Sequence, residues 1–225
     1  GDVLTYIMAL DQGTSSSRAI IYNERGKTVQ IAQHGFDMSF PADGWVEQDP
    51  EVLWQTTLQA GRDAIAQAGI DPAQLKCIGI TNQRETTLLW DRNTGRCVYN
   101  AIVWQDRRTA DYCQKLKEAG HESEVTSKTG LLLDPYFSGA KLNWILENVD
   151  GARAAADAGD LLFGTVDSYL IWRLTDGASH VTDATNAART MIYNISEGCW
   201  DDDLLALFDI PKEMLPEVRD SAGTF

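Results

Sequence analysis

Short apolar runs separated by turn-forming residues mark the start of the chain. They extend over residues 6–10, 18–22 and 28–33. Runs of this length bounded by glycine, serine and asparagine are typical of β-strands. The connections at 11–17 and 23–26 are rich in turn residues and short enough to join antiparallel neighbours. The pattern predicts an antiparallel strand meander.

A different periodicity follows the meander. Asp49 is suited to cap a helix, Pro50 fits the first helical position, and apolar residues then recur at helical spacing as far as Ile65. Gly69 is a suitable residue for ending a helix. This segment predicts a helix from Pro50 to near Gly69 with one buried face.

The rest of the chain combines strand and helix patterns. Strands are predicted at 76–81 and 101–104, and a hairpin at 87–90 and 96–99 is closed by residues 93–95. Helices are predicted at 109–118, 138–148, 165–174 and 201–208. Because no Ser/Gly/Pro-rich linker divides the chain, we interpret residues 1–225 as one continuous α/β domain.

Charge and composition narrow the range of partners. A net charge of −14 argues against binding to duplex nucleic acid or to an anionic membrane. Membrane insertion is not expected, because the chain has no run of about 18 apolar residues. The four cysteines form no Cys-x-x-Cys pair, so we expect reduced thiols and a cytoplasmic location. The three histidines share no metal-ligand spacing and are expected at the surface.

The first connection of the meander is a candidate phosphate site. Gly13 allows a ligand to approach the backbone, and the hydroxyls and amides of Thr14, Ser15 and Ser16 can donate to phosphate oxygens. Asp11 could hold a hydrated divalent cation, and Arg18 adds a positive charge. A plain hairpin turn favours the same residue types, and composition alone favours that alternative.

A second candidate site follows the buried strand at 77–80. Arg84 offers a fork of donors and Glu85 offers acceptors, so together they could satisfy adjacent hydroxyls of a polyol. The alternative is a mutual surface ion pair, the commoner arrangement of neighbouring opposite charges.

Aromatic residues are candidates for the same pocket. Trp104 and Tyr136 could pack against the C–H face of a small polyol, and the polar residues 105–108 could line the same cleft. Core packing is the alternative for either aromatic ring. A charge cluster at the start of a helix is the alternative for residues 106–108.

Six strings in order resemble the glycerol kinase branch of the FGGY family of carbohydrate kinases. They are the residues at 11–18 (with Ser15 where the family usually has threonine), 44–47, 79–86, 104–109, 134–138 and 164–167. The resemblance covers essentially the full chain. It implies a ribonuclease H-like, actin-like ATPase domain of the α/β class, with an N-terminal antiparallel strand meander and a mixed sheet flanked by helices.

The resemblance also implies roles for individual residues. Expected nucleotide contacts are Thr14, Ser15, Ser16 and Arg18, with Asp11 near Mg2+. Expected polyol contacts are Arg84, Glu85, Trp104 and Tyr136. The expected reaction is ATP-dependent phosphorylation of glycerol to glycerol 3-phosphate, with ATP and Mg2+ required.

Members of the family continue into a second actin-like domain, and the substrate lies in a cleft between the two. That domain supplies the aspartate general base, so this chain is expected to be inactive alone, and its catalytic base is expected outside these 225 residues. A homo-oligomer is expected for the full-length protein. The alternatives are a kinase of another polyol or sugar, and a non-catalytic polyol-binding module.

Overall fold

The computed structural model describes residues 4–220 of the chain. Its strands are β1 (Tyr6–Gln12), β2 (Ser16–Tyr22), β3 (Thr28–Gly35), β4 (Glu47–Gln48), β5 (Leu75–Asn82), β6 (Leu88–Asp91), β7 (Ala101–Ile102), β8 (Leu161–Gly164), β9 (Val181–Asp183), β10 (Tyr193–Asn194), β11 (Cys199–Trp200) and β12 (Glu217–Arg219). Its α-helices are α1 (Pro50–Ala68), α2 (Ala110–Glu118), α3 (Glu122–Thr129), α4 (Ser138–Asn148), α5 (Ala152–Asp157), α6 (Val166–Leu174), α7 (Ala184–Ala187) and α8 (Asp202–Phe208). Short 3-10 helices occupy Pro72–Gln74 and Lys212–Met214.

The described residues form two compact units. The first contains residues 4–38 and 49–83, and the second contains residues 39–48 and 84–220.

A four-stranded mixed sheet forms the frame of the first unit. Its strand order is β3-β2-β1-β5, with β1 antiparallel to β2 and parallel to β5. β2 is antiparallel to β3, so the predicted strand meander is confirmed. In the register, Leu10 lies beside Ala19 on one side and Ile80 on the other.

Helix α1 packs on this sheet and begins and ends as predicted. The Asp49 side chain accepts a hydrogen bond from the Glu51 amide at 2.9 Å, and Pro50 is the first helical residue. Gly69 ends the helix with a left-handed φ of 68°, which glycine adopts without a steric penalty. The buried face of the helix meets the sheet in one apolar core, formed by Met8, Leu10, Ala19, Ile21, Ala32, Ala60 and Ala64.

The second unit combines helices with short two-stranded sheets around its own core. β6 pairs with β8 in antiparallel register, with Leu89 beside Phe163. The buried residues of α4, including Leu142 and Ile145, pack in the same core as these two strands. β4 pairs with β7, β10 with β11, and β9 with β12.

Three details of the second unit differ from the sequence prediction. The predicted strand at 96–99 is reduced to a bridge between Cys97 and Trp90, flanked by backbone hydrogen bonds from Asp91 to Arg96 and from Val98 to Leu89. The predicted strand at 101–104 is limited to β7. His180 is not a surface residue: its ring packs edge-on against Trp90, and its Nε2 lies 2.7 Å from the Phe163 carbonyl oxygen.

Among residues 4–220, no helix combines the length and the apolar character needed to cross a bilayer.

Candidate functional site

The turn between β1 and β2 is closed by backbone hydrogen bonds. Gln12 lies beside Ser17 in the strand register, and the Gly13 amide donates to the Ser16 carbonyl at 2.9 Å. The carbonyl of Ser15 accepts from the Phe36 amide at 3.0 Å, which fixes the turn against the end of β3. The predicted phosphate loop is therefore a tight turn, with Thr14 and Ser15 at its tip.

Polar side chains around this turn remain able to bind a ligand. The Ser16 hydroxyl oxygen accepts from Gln33 Nε2 at 2.9 Å, so its own hydrogen is available to a further acceptor. Ser15 is exposed. Oxygen Oδ2 of Asp11 lies 3.0 Å from Arg18 Nη2, and Oδ1 accepts from the Thr81 hydroxyl at 3.3 Å. Because both charged side chains stay about 40% exposed, they can meet a solvated ion or phosphate.

In the second unit, Glu85 is held in an uncommon backbone conformation. Its φ is 67°, a left-handed value that costs a residue with a Cβ roughly 1–3 kcal/mol. Two hydroxyl groups stabilise this backbone, since the Glu85 carbonyl accepts from Thr87 at 3.0 Å and from Ser138 at 3.2 Å. Strain of this kind is concentrated at functional sites, which supports a role for Glu85.

The buried carboxylate of Glu85 has a cation beside it. Arg189 Nε donates to Glu85 Oε1 at 2.7 Å, and the Glu85 side chain is only 4% exposed. Arg84 is exposed and forms no ion pair with Glu85 in the described part of the chain. The alternative of a mutual Arg84–Glu85 surface pair is therefore wrong.

Aromatic rings lie next to this ion pair. The ring centroids of Trp104 and Tyr136 are 5.5 Å apart, and those of Tyr136 and Phe137 are 5.3 Å apart. The Arg189 guanidinium lies over the rings of Phe137 and Tyr136, at 4.8 and 5.6 Å from their centroids. Trp104 and Tyr136 are only partly buried, so their exposed parts can pack against a small ligand. Arg189 thus contacts both Glu85 and Tyr136, and Trp104 packs against Tyr136.

Lys141 holds the segment that carries Tyr136. Its ammonium group donates to the carbonyls of Pro135, Tyr136 (2.8 Å) and Phe137 (3.3 Å). The side chain is fully buried, and this burial lowers its pKa to about 7 even though the nearby Asp106 and Glu85 carboxylates act in the opposite direction.

Two residues of the polar cluster that follows Trp104, Asp106 and Arg108, are structural, which corrects the expectation that they line the pocket. Gln105 and Arg107 are exposed. Arg108 bridges the carboxylates of Glu47 and Asp106 at 2.8 Å each, with all three side chains buried. Its guanidinium stacks on Trp45 at 3.9 Å from the ring centroid. Burial alone would raise the pKa of Glu47, but hydrogen bonds from Tyr99 and Arg108 lower it overall. The Asp106 and Arg108 side chains are therefore engaged within the fold.

Sequence reasoning missed Arg189 and Lys141. The strand before Glu85, predicted to be buried, is largely exposed at the edge of its sheet, so it gave no sign that the Glu85 carboxylate is buried and needs a cation. The sequence offers no indication of which distant arginine supplies that cation.

Residues 6–225 match the sequence profile of the FGGY family of carbohydrate kinases, N-terminal domain. The chain belongs to this family. It is 61% identical over 219 residues to a glycerol kinase of Methylobacterium nodulans, covering 97% of this chain and 44% of that protein. It is 59% identical over 220 residues to glycerol kinase 1 of Pseudomonas aeruginosa, covering 98% and 44%. The chain thus spans less than half the length of these curated relatives.

Solved structures of the family share the fold. The glycerol kinase of Plasmodium falciparum, crystallised with ADP, matches with a TM-score of 0.91 and 32% identity over 96% of this chain and 43% of that one. A gluconate kinase from Lactobacillus acidophilus matches with a TM-score of 0.86 and 27% identity over 96% and 42%. The predicted actin-like ATPase fold of the α/β class is confirmed.

Proposed function

We propose that the natural protein containing this sequence transfers the γ-phosphoryl group of ATP to a terminal hydroxyl of glycerol, forming glycerol 3-phosphate and ADP. The structural observation that carries the proposal is the buried Glu85 carboxylate, which has a strained backbone and is joined through Arg189 to Tyr136 of the Trp104–Tyr136 pair. The identity to proteins named glycerol kinase supports glycerol as the acceptor. The activity is proposed for the natural protein, whatever its length.

Each acceptor-side residue has a distinct proposed role. Glu85 accepts hydrogen bonds from glycerol hydroxyls, and Arg84, which is exposed, donates to them. Trp104 and Tyr136 pack against the C–H groups of the substrate. Since phosphoryl transfer depends chiefly on positioning and on stabilising charge, these contacts place one hydroxyl for attack.

On the phosphate side, the tight turn between β1 and β2 is proposed to bind the nucleotide phosphates. Thr14, Ser15 and Ser16 would donate from their amides and hydroxyls, and Arg18 would contribute positive charge. ATP supplies the transferred group when bound, and Mg2+ offsets the charge of its phosphates. No cluster of three or more His, Cys, Asp and Glu side chains able to hold a metal occurs within residues 4–220. The partly exposed Asp11 carboxylate fits a hydrated Mg2+ that is held mainly by phosphate and water.

We further propose a cytoplasmic location, a homo-oligomeric natural protein and no nucleic-acid partner. The negative net charge of −14 supports the last of these.

The test is ADP release by the natural full-length protein with glycerol, xylulose, erythritol or gluconate as acceptor. We expect a strong preference for glycerol and a loss of about 100-fold or more in kcat/KM on Arg84→Ala, because a charged donor to the substrate is removed. Arg62→Ala is the matched control, since Arg62 is an exposed arginine of helix α1 in the other unit. If the enzyme prefers another acceptor, that compound and not glycerol is the substrate. If it is inactive with every acceptor, a non-catalytic polyol-binding module is favoured.

A further inference from the structure

We propose that Arg189 is a positioning residue that fixes the Glu85 carboxylate for the acceptor substrate. The inference rests on the proposed function, in which Glu85 binds the acceptor hydroxyls. It assigns a role to a residue 104 positions away in the sequence, in the segment that follows α7.

The two carboxylate oxygens of Glu85 have different surroundings. Arg189 Nε donates to Oε1 at 2.7 Å. Within residues 4–220, no group donates a hydrogen bond to Oε2. Oε1 therefore anchors the carboxylate, and Oε2 stays available to accept from a ligand hydroxyl.

Arg189 also compensates the buried charge of Glu85. A buried carboxylate without a paired cation is energetically costly. Lys141 is also buried nearby, but its amine is used by the carbonyls of Pro135, Tyr136 and Phe137. Arg189 is thus the cation in direct contact with Glu85.

Aromatic stacking fixes the guanidinium itself. Its Cζ atom lies 4.8 Å from the Phe137 ring centroid and 5.6 Å from that of Tyr136. A planar guanidinium that is already held against aromatic rings loses less conformational entropy when it binds a carboxylate. Arg189 therefore links the position of Glu85 to that of Tyr136, the aromatic residue proposed to face the substrate.

The experiment is a double-mutant cycle in the natural full-length protein. The acceptor panel first identifies the best acceptor of the parent enzyme, and KM for that acceptor and for ATP is then measured in Arg189→Met, Glu85→Gln and the double variant. Arg189→Lys tests rescue by a cation without the planar fork. Arg153→Met is the matched control. Arg153 is a partly buried arginine of α5 in the same unit, and it pairs with Glu147 of α4.

We expect Arg189→Met to raise the acceptor KM by about 10- to 100-fold, because a charged hydrogen bond that orients Glu85 is lost. The KM for ATP should change less than about twofold, and Arg189→Lys should recover part of the loss. In the Glu85→Gln background, removing Arg189 should have a much smaller effect, since coupled residues are not additive. Arg153→Met should leave both constants unchanged.

The inference would be overturned if Arg189→Met raised the acceptor KM by the same factor in the parent and in Glu85→Gln. An equal rise in the KM for ATP would also overturn it. If the best acceptor is not glycerol, the proposed substrate is wrong, but the double-mutant cycle with that acceptor still tests the role of Arg189. A parent enzyme inactive with every acceptor would overturn the proposed function and this inference together.

Discussion

The ammonium group of Lys141 lies 2.8 Å from the carbonyl oxygen of Tyr136, in a site from which solvent is excluded. A lysine on a helix thus holds the backbone of the residue proposed to face the substrate. The backbone of Tyr136 is therefore held by a buried amine, which links the packing of α4 to the position of the residue proposed to face the substrate.

Stability should depend on pH through Lys141. Burial lowers its pKa to about 7 in the folded protein, whereas the unfolded value is about 10.4. Between these values the unfolded state holds a proton that the folded state has released, so the free energy of unfolding should rise with pH from about 7 to about 10. Urea unfolding of the parent and of Lys141→Met, compared at each pH unit in this window, measures the contribution. We expect the free energy of unfolding of the parent, relative to that of Lys141→Met, to rise by at most about 1.4 kcal/mol per pH unit. A difference that does not change with pH would contradict this.

Replacing Arg108 should destabilise the fold strongly. Arg108→Met leaves Glu47 and Asp106 without their shared cation, and the side chains involved are 1–3% exposed. Breaking a buried pair in this way costs about 3–5 kcal/mol, because uncompensated charges stay buried. Chemical denaturation measures the loss. The control is Arg153→Met, which removes a more exposed pair and should cost less than about 1 kcal/mol. Equal losses in the two variants would argue against the buried network as the cause.

Local signals in the sequence were sufficient for parts of the fold. Asp49, Pro50 and Gly69 determine where α1 begins and ends through their own side chains and backbone preferences, so the helix could be predicted without tertiary information. The pairing of β6 with β8 could not, because the two strands are about 70 residues apart and short apolar runs do not specify their partners.

The candidate site shows the same division. Glu85 was a candidate because it follows the strand at 77–80, which was predicted to be buried but is largely exposed at the edge of its sheet. The alternative, an ion pair with the adjacent Arg84, is wrong because the Glu85 backbone has a φ of 67° and its carboxylate pairs with Arg189, which sequence proximity cannot show. The roles of these residues in binding stay predictions.

Cysteine reactivity should follow burial. Cys77 and Cys199 are exposed thiols, whereas Cys113 is buried and burial raises its pKa to about 11. Since the thiolate is the reactive form, native labelling with iodoacetamide at pH 8 should modify Cys77 and Cys199 within minutes and leave Cys113 unmodified. Peptide mapping by mass spectrometry locates the labels. In guanidinium chloride all four cysteines should react, which serves as the control. Native labelling of Cys113 as fast as Cys199 would mean that the core around α2 opens readily.

Asp11 should matter for the metal requirement rather than for the acceptor. Asp11→Asn keeps the size of the side chain but removes the charge that lies 3.0 Å from Arg18 and is proposed to attract hydrated Mg2+. We expect the Mg2+ concentration for half-maximal ADP release to rise by about tenfold, the equivalent of about 1.4 kcal/mol, with the KM for glycerol unchanged. Asp63→Asn is the matched control. Asp63 is a similarly exposed carboxylate of the same unit; it lies on α1 and pairs with His34 of β3. Since Arg18 also loses its partner, a rise in the KM for ATP without any change in the Mg2+ requirement would show that Asp11 acts by orienting Arg18 and not by holding the cation.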